Sequence, residues 1–289
     1  MSLSLTSLEL PDNVTRRTVG RHVYVLSGAL AVVGAIAAGL SLFVPSLLTG
    51  TDVTNGNTRG TALVMLVVGI PTLLISMWFA SRGSWRGRLV WLGVLAYLAY
   101  NGVLFAFAAP FNSLFLLYVA TLSLAVFSIA SLVGGTDPTD CVPALKRATI
   151  KGLAIYTWTI VFINALVWLR GIVANVGAAN PGAFLAETGL TTNPSYVQDL
   201  AFWLPMAALA AYWLWRERPW GVALVGSWLV YGFIESIGVA SDQWFGYHAD
   251  PSTEFASVGG MGIFIALALI GTVPLYLFFR ASKGGIETL

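Results

Sequence analysis

The chain lacks the charge that a soluble protein of its size carries on its surface. Only 10% of its 289 residues are charged and 57% are hydrophobic, whereas charged residues make up about 25% of a typical soluble domain. A soluble fold of this size would leave large apolar patches in contact with water. The composition therefore excludes a soluble enzyme and a disordered chain, and it predicts a polytopic membrane protein.

Residue types that serve much of enzyme and cofactor chemistry are also scarce. The single cysteine, Cys141, excludes an intrachain disulfide. The only histidines, His22 and His248, do not lie deep in apolar runs, which argues against a haem held within the membrane. P-loop, G-x-S-x-G, H-E-x-x-H and C-x-x-C motifs are absent from the sequence. We therefore expect no catalytic residue, no cofactor and no metal, and the net charge of +2 gives no reason to expect a nucleic-acid partner.

Eight apolar runs are long enough to cross a lipid bilayer as helices, which takes about 20 residues each. Their residues are roughly 23–48, 61–80, 89–109, 113–133, 152–171, 199–215, 220–240 and 257–279. They do not alternate between polar and apolar residues, as the strands of a membrane barrel would. The sequence predicts an all-α fold in which residues 1–289 form a single bundle of eight transmembrane helices.

The basic residues fall on one side of such a bundle. Of the 15 Lys and Arg residues, only Arg59 and Arg170 are expected in outer loops. The other 13 lie in the two terminal segments and in the loops after the second, fourth and sixth runs. Because Lys and Arg are concentrated on the cytoplasmic side of membrane proteins, this distribution predicts that both termini are cytoplasmic.

A weak internal repeat relates the two halves of the chain. At an ungapped offset of 134, six of the 45 positions from 61 to 105 are identical, including the pairs Pro71/Pro205 and Tyr97/Tyr231. A four-plus-four parallel duplication would account for these matches. Coincidence in a chain of such biased composition would account for them as well.

Glu235 is the residue that most strongly suggests a functional site. It is expected about fifteen residues into the seventh helix, in the outer third of the membrane, where a carboxylate usually faces a cavity or the bundle interior. Tyr231 and Asp242 share its helix face, Asn101 is its counterpart at the 134-residue offset, and Tyr97 lies one turn before Asn101. A further polar residue inside a helix is Asn164. We expect these six residues to include the ligands of a proton, a cation or a small solute, whereas the structural alternative is a glutamic acid that pins two helices together.

Two other features have weaker implications. Asp242, His248, Asp250 and Glu254 are expected to share one outer loop, but their spacing matches no tight metal-binding motif. The first helix carries a stripe of small residues that is expected to let another backbone approach closely. That stripe consists of Ser27, Ala31, Ala35 and Gly39.

Four segments carry a resemblance to known sequences. They are R-G-S-W-R-G-R-L-V-W-L-G at 82–93, A-P-F-N-S-L-F at 109–115, G-L-T-T-N-P at 189–194 and D-L-A-F at 199–202. Over most of the region from 60 to 240 the chain resembles a family of uncharacterised bacterial multi-pass membrane proteins. The resemblance implies an all-helical protein of the bacterial plasma membrane and implies no activity. The family opens its second helix with Gly-Gln-Asp, where this chain has Gly60-Thr61-Ala62, so any role of that acid is missing or moved.

Two kinds of function are compatible with these features. The first is a transporter or permease for a small solute, coupled to an ion at Glu235. The second is a non-catalytic membrane subunit or interaction protein in which the polar residues only fix helix packing. A lipid-processing enzyme is a third interpretation, against which the absence of a catalytic constellation argues. The substrate and the oligomeric state have no signature in the sequence.

Overall fold

The computed structural model describes residues 19–141 and 145–280 of the chain. Over these residues the chain is all-helical and forms no β-strand. The helices are α1 (Arg21–Phe43), α2 (Asp52–Val64), α3 (Ile70–Ser81), α4 (Trp85–Phe107), α5 (Phe115–Gly134), α6 (Arg147–Val176), α7 (Pro194–Gln198), α8 (Leu204–Trp215), α9 (Pro219–Ala249) and α10 (Val258–Phe279). Single π-helical turns join α2 to α3, at Met65–Gly69, and α7 to α8, at Asp199–Trp203.

Seven helical stretches in the described chain are long and apolar enough to cross a membrane. They are α1, the joined α2–α3, α4, α5, α6, α9 and α10. The expectation of an integral membrane protein built from helices is therefore confirmed. The predicted run 199–215 falls in the joined helix Pro194–Trp215, which is not one of the seven.

The second helix begins nine residues before the predicted start at 61. The first helix ends at Phe43 instead of 48, because the chain turns at Pro45, which has no backbone N–H to continue the helix. Helix α2 then starts at Asp52, whose carboxylate suits the positive end of the helix dipole. Arg59, predicted in an outer loop, consequently lies inside α2. Its guanidinium lies 5.5 Å from the centre of the Phe245 ring.

The predicted acidic outer loop is wrong in part, because α9 continues to Ala249. Asp242 and His248 lie within this 31-residue helix, and only Asp250 and Glu254 follow it. The extension also changes the place of Glu235, which is the seventeenth residue of α9 and lies near the middle of the helix.

Helices α4 and α9 form the centre of the bundle. Helix α4 packs against α3, α5 and α9, and α9 packs against α2, α8 and α10. Glycines let α2 and α9 come close. A methyl group on Gly60 would lie 2.6 Å from the Cα atom of Asp242, and one on Gly56 would lie 2.6 Å from the carbonyl oxygen of Phe245. The backbones of α2 and α9 are therefore in contact.

The small-residue stripe predicted on α1 is only partly buried. Ser27 and Ala31 are buried, but Ala35 is partly exposed and a methyl group on Gly39 would meet nothing within 4 Å. The buried face instead continues through Gly34 and Ala38. Because a helix turns by 3.6 residues and not 4, a strict four-residue spacing drifts away from the contact.

Helix bounds recur after 134 residues. The two π-turns start at Met65 and Asp199, and the helices that follow them run over Ile70–Ser81 and Leu204–Trp215. The next helices start at Trp85 and Pro219. The turns before these helices have a positive φ at matching positions, Gly83 (80°) and Glu217 (56°). At the second of these positions, Glu217 adopts a backbone conformation that glycine adopts at no steric cost.

Candidate functional site

Glu235 and Asn101 meet where α9 crosses α4. The Nδ2 atom of Asn101 donates a hydrogen bond of 2.9 Å to Oε2 of Glu235 and another of 3.0 Å to the backbone carbonyl of Tyr97. Asn101 is buried and Glu235 is partly buried. The two residues predicted to share a site are thus in direct contact.

Tyr97 occupies the space between α9 and the first π-turn. Its side chain is fully buried, and a methyl group on Gly69 would lie 2.8 Å from its ring. On the other side, a methyl group on Gly238 would lie 3.8 Å from its hydroxyl oxygen. The described residues provide no hydrogen-bond partner for this hydroxyl. A buried hydroxyl without a partner costs about 1–3 kcal/mol, so its position calls for a reason.

Tyr231 lies one turn before Glu235 in an aromatic cluster. Its ring stacks on Trp203 at a centroid distance of 5.2 Å and packs against Tyr100 at 5.8 Å. Tyr100 also contacts Trp203 at 6.0 Å. The described hydrogen bonds do not join the Tyr231 hydroxyl to Glu235, although the two residues share a face of α9.

Asp242 lies two turns beyond Glu235 on the same face of α9. Its Oδ1 atom accepts a hydrogen bond of 2.9 Å from the Thr61 hydroxyl, and the neighbouring Ser241 hydroxyl donates 3.0 Å to the carbonyl of Gly60. Thr61 belongs to the Gly60-Thr61-Ala62 segment, which lies near the C-terminal end of α2. The structure therefore puts this segment against an acid of α9.

Asn164 is the one predicted site residue that lies apart from this group. It belongs to α6, which packs chiefly against α8. Among the described residues, no hydrogen bond joins Asn164 to Glu235 or Asn101.

Asp199 is a further acid that the sequence reasoning did not single out. It is only 4% exposed and opens the second π-turn, and it accepts a hydrogen bond of 2.7 Å from Nε1 of Trp168. Single π-turns inside helices often mark functional sites. The signal in the sequence is its place as the first residue of the apolar run 199–215, because an acid is costly in lipid.

The described ion pairs do not involve these three acids. They join Arg88 to Asp140 at 3.8 Å and Arg147 to Glu217 at 3.2 Å. Arg59, the basic residue inside α2, donates to the carbonyl oxygen of Leu42 at 3.4 Å and lies over Phe245. In the described part of the chain, the acids of α9 are thus met by amide and hydroxyl donors and not by Lys or Arg.

A cleft of about 540 Å³ lies between the C-terminal end of α6, the 3₁₀-helix Pro181–Thr188 and α7. Its walls are mostly apolar, with Phe184, Tyr196 and Leu200 among them. Neither Glu235 nor Asn101 lines it. The cleft is therefore separate from the polar group on α9.

Comparison with known proteins finds no matching family model, no similar curated protein and no similar solved structure. The resemblance to a family of bacterial membrane proteins stays a prediction. The functional argument rests on the contacts of this chain alone.

Proposed function

We propose that the protein is an ion-coupled transporter or permease for a small solute in a bacterial plasma membrane, with its coupling site at Glu235. The observation that carries the proposal is the 2.9 Å hydrogen bond between Asn101 and Glu235, two residues that are 134 positions apart. It places a carboxyl group and an amide at the contact of the two central helices.

We also propose that eight helices cross the membrane and that both termini are cytoplasmic. The span that completes the eight is sixth in chain order. It is the joined helix Pro194–Trp215, whose 22 residues extend about 33 Å at 1.5 Å per residue. Its mean hydropathy is lowered by Gln198 and Asp199, both of which are buried. With this span included, 13 of the 15 basic residues fall on one side, as expected for the cytoplasmic side.

The two halves are proposed to be parallel copies of one four-helix unit. Three pairs of residues at the 134-residue offset contact each other. The Thr54 hydroxyl donates 2.8 Å to the carbonyl oxygen of Thr188, a methyl group on Gly93 would collide with the carbonyl oxygen of Ser227, and Asn101 binds Glu235. Contacts between equivalent positions are expected along a two-fold axis. In parallel repeats such an axis runs along the membrane normal.

Transport is supported by where the polar group lies. Transporters built from repeats hold substrate and coupling ions at the interface of the repeats, near the middle of the membrane. An ionisable residue inside a membrane helix is costly and usually serves an ion or substrate path. Glu235 meets both descriptions, because it lies in the middle of α9 and faces its counterpart on α4.

One observation favours the second candidate, a non-catalytic membrane subunit. The Asn101–Glu235 bond is direct, and a protonated glutamic acid in such a bond would hold α4 and α9 together without binding anything else. Under this alternative, removal of the carboxyl group would affect stability and assembly only.

Reconstituted vesicles decide between the two. The purified chain is placed in vesicles with an imposed proton or sodium gradient, and uptake is screened over pools of small metabolites. We expect Glu235→Gln to fold normally, since it keeps the shape and hydrogen bonding of the side chain, and to abolish gradient-driven uptake. Glu254→Gln, in an exposed loop, is the matched control and should transport like the wild type. Equal uptake by Glu235→Gln and the wild type would rule out the coupling role.

A further inference from the structure

Two acids of α9 face a single buried hydroxyl group across a glycine. Glu235 and Asp242 are seven residues apart, about 10 Å along the helix, and therefore share a face. Gly238 lies between them and is buried. Because Gly238 has no side chain, the Tyr97 hydroxyl on α4 reaches this face, where a methyl group on Gly238 would lie 3.8 Å from the hydroxyl oxygen.

The Tyr97 hydroxyl needs a partner that the described residues do not supply. Its side chain is 0% exposed, and the described residues make no hydrogen bond to its oxygen. Nearly all buried polar atoms in proteins are satisfied by protein, water or an ion. An oxygen held without a partner between two acids is suited to a bound cation.

We infer that Glu235, Asp242 and Tyr97 form a binding site for a sodium ion. The donors are all oxygen atoms, which suits a hard cation and not a soft metal. Thr61 adds a fourth oxygen through the hydroxyl group that bonds to Asp242 at 2.9 Å. Asn101 orients the Glu235 carboxyl group by its hydrogen bond to Oε2, so that Oε1 is left for the ion.

The number of donors favours a monovalent ion over a divalent one. Calcium takes six to eight oxygen ligands and magnesium requires a near-ideal octahedron. The four side chains of this site offer only about four oxygens, one from each, before water is added. One sodium ion balances one carboxylate, so the second carboxyl group keeps its proton when the site is filled. The filled site is then electrically neutral, as a membrane interior requires.

The biological role of the sodium site rests on the proposed function, since a transporter would use this ion for coupling. Binding itself can be measured without transport. The full chain in detergent is heated in sodium chloride or in choline chloride at the same ionic strength, and unfolding is followed by the fluorescence of its 11 tryptophans. A ligand that binds only the folded state raises the melting temperature in proportion to the logarithm of its concentration above Kd.

Tyr97→Phe is the discriminating variant. Loss of one oxygen ligand should weaken sodium binding about tenfold or more, while the melting temperature in choline stays unchanged or rises, because an unsatisfied buried hydroxyl group has been removed. Asp242→Asn should weaken sodium binding in the same way. The matched controls are Tyr276→Phe, which is 66% exposed, and Asp52→Asn, on the surface of α2. Both controls should respond to sodium like the wild type.

Three results would overturn the site. One is equal melting temperatures in sodium and choline, another is an unchanged sodium response in Tyr97→Phe, and the third is stabilisation by calcium at far lower concentrations than by sodium. The outcomes also separate this site from the proposed function. Loss of coupled uptake in Glu235→Gln without sodium binding would leave transport standing and remove the sodium site. Sodium binding in a protein that moves no solute in vesicles would do the reverse.

Discussion

Asn101 and Glu235, which the proposed repeat would make equivalent, bind each other, Nδ2 to Oε2, at 2.9 Å. Equivalent residues that meet are close to a local two-fold axis, where two identical acids would repel each other when ionised. One amide and one acid avoid this repulsion and supply a donor for Oε2 of Glu235. The difference between the two residues is thus required by the contact between them.

This relationship predicts that the two side chains can be exchanged. Asn101→Glu places two carboxyl groups together and should lower the free energy of unfolding by about 1–3 kcal/mol, the cost of an unsatisfied buried group. Adding Glu235→Asn restores one amide and one acid, and should recover most of that loss. Thermal unfolding of the wild type, the two single variants and the double variant in detergent gives the coupling free energy. A double variant that is as unstable as the sum of the single variants would mean that the surroundings of the two residues are not equivalent.

The sequence predicted the helices well and their ends poorly. Length and hydropathy alone indicated α4, α5 and α10 to within a few residues of the observed bounds. The first turns of α2 were missed because Asp52, Asn55 and Asn57 are polar, and a hydropathy pattern registers apolar residues. In the folded chain, Asn55 is satisfied locally by two hydrogen bonds with the backbone of Gly50.

The candidate site was predictable where pairs of residues could be compared. Glu235 stands out in the sequence because an acid within an apolar run is rare. The offset of 134 then pairs it with Asn101. Two features were out of reach. The orphan hydroxyl of Tyr97 depends on the absence of a side chain at Gly238, and the burial of Asp199 depends on a π-turn. Both are properties of packing between helices and leave no periodic signal.

The topology predicts where each side of the protein can be labelled. With eight crossings, single cysteines introduced at Gly83 and Glu217 should be reached only from the cytoplasm, and one at Gly177 only from outside. The native Cys141 is replaced first, so that each variant has one thiol. Labelling of intact cells and of inverted vesicles with a membrane-impermeant maleimide reads out the side.

Glu217 is the informative position in this set. If the helix Pro194–Trp215 did not cross, the cysteine at 217 would be labelled from the same side as the one at 177. Such a result would leave seven crossings and would put the C-terminal segment on the opposite side from the N-terminal segment.

Gly60 sets the distance between α2 and α9. Gly60→Ala brings a methyl group to within 2.7 Å of the Asp242 nitrogen and the Ser241 carbonyl oxygen, and backbone atoms cannot move aside as a flexible side chain can. Overpacking of this kind costs about 1–3 kcal/mol. We therefore expect Gly60→Ala to lower the melting temperature.

The matched control is Gly262→Ala in α10, where a methyl group meets nothing within 4 Å. The control should be neutral or slightly more stable, since alanine favours a helix over glycine by up to about 1 kcal/mol. Equal effects of the two variants would contradict the close approach of α2 and α9.

Trp168 supplies the hydrogen bond that holds Asp199 in the second π-turn. Trp168→Phe keeps most of the ring packing but removes the Nε1 donor, which lies 2.7 Å from the carboxylate. The buried acid then loses this donor, and we expect a loss of about 1–3 kcal/mol in the free energy of unfolding.

Trp158→Phe on the same helix is the comparison. Its Nε1 atom donates 3.1 Å to the carbonyl of Ala208, and loss of a hydrogen bond between uncharged groups should cost less, about 1 kcal/mol. Asp199→Leu should then rescue Trp168→Phe in part and leave Trp158→Phe unaffected, because only the first pair shares a contact. If Trp168→Phe and Trp158→Phe lose the same stability, and Asp199→Leu rescues neither, the acid does not depend on Trp168 for its place in the membrane helix.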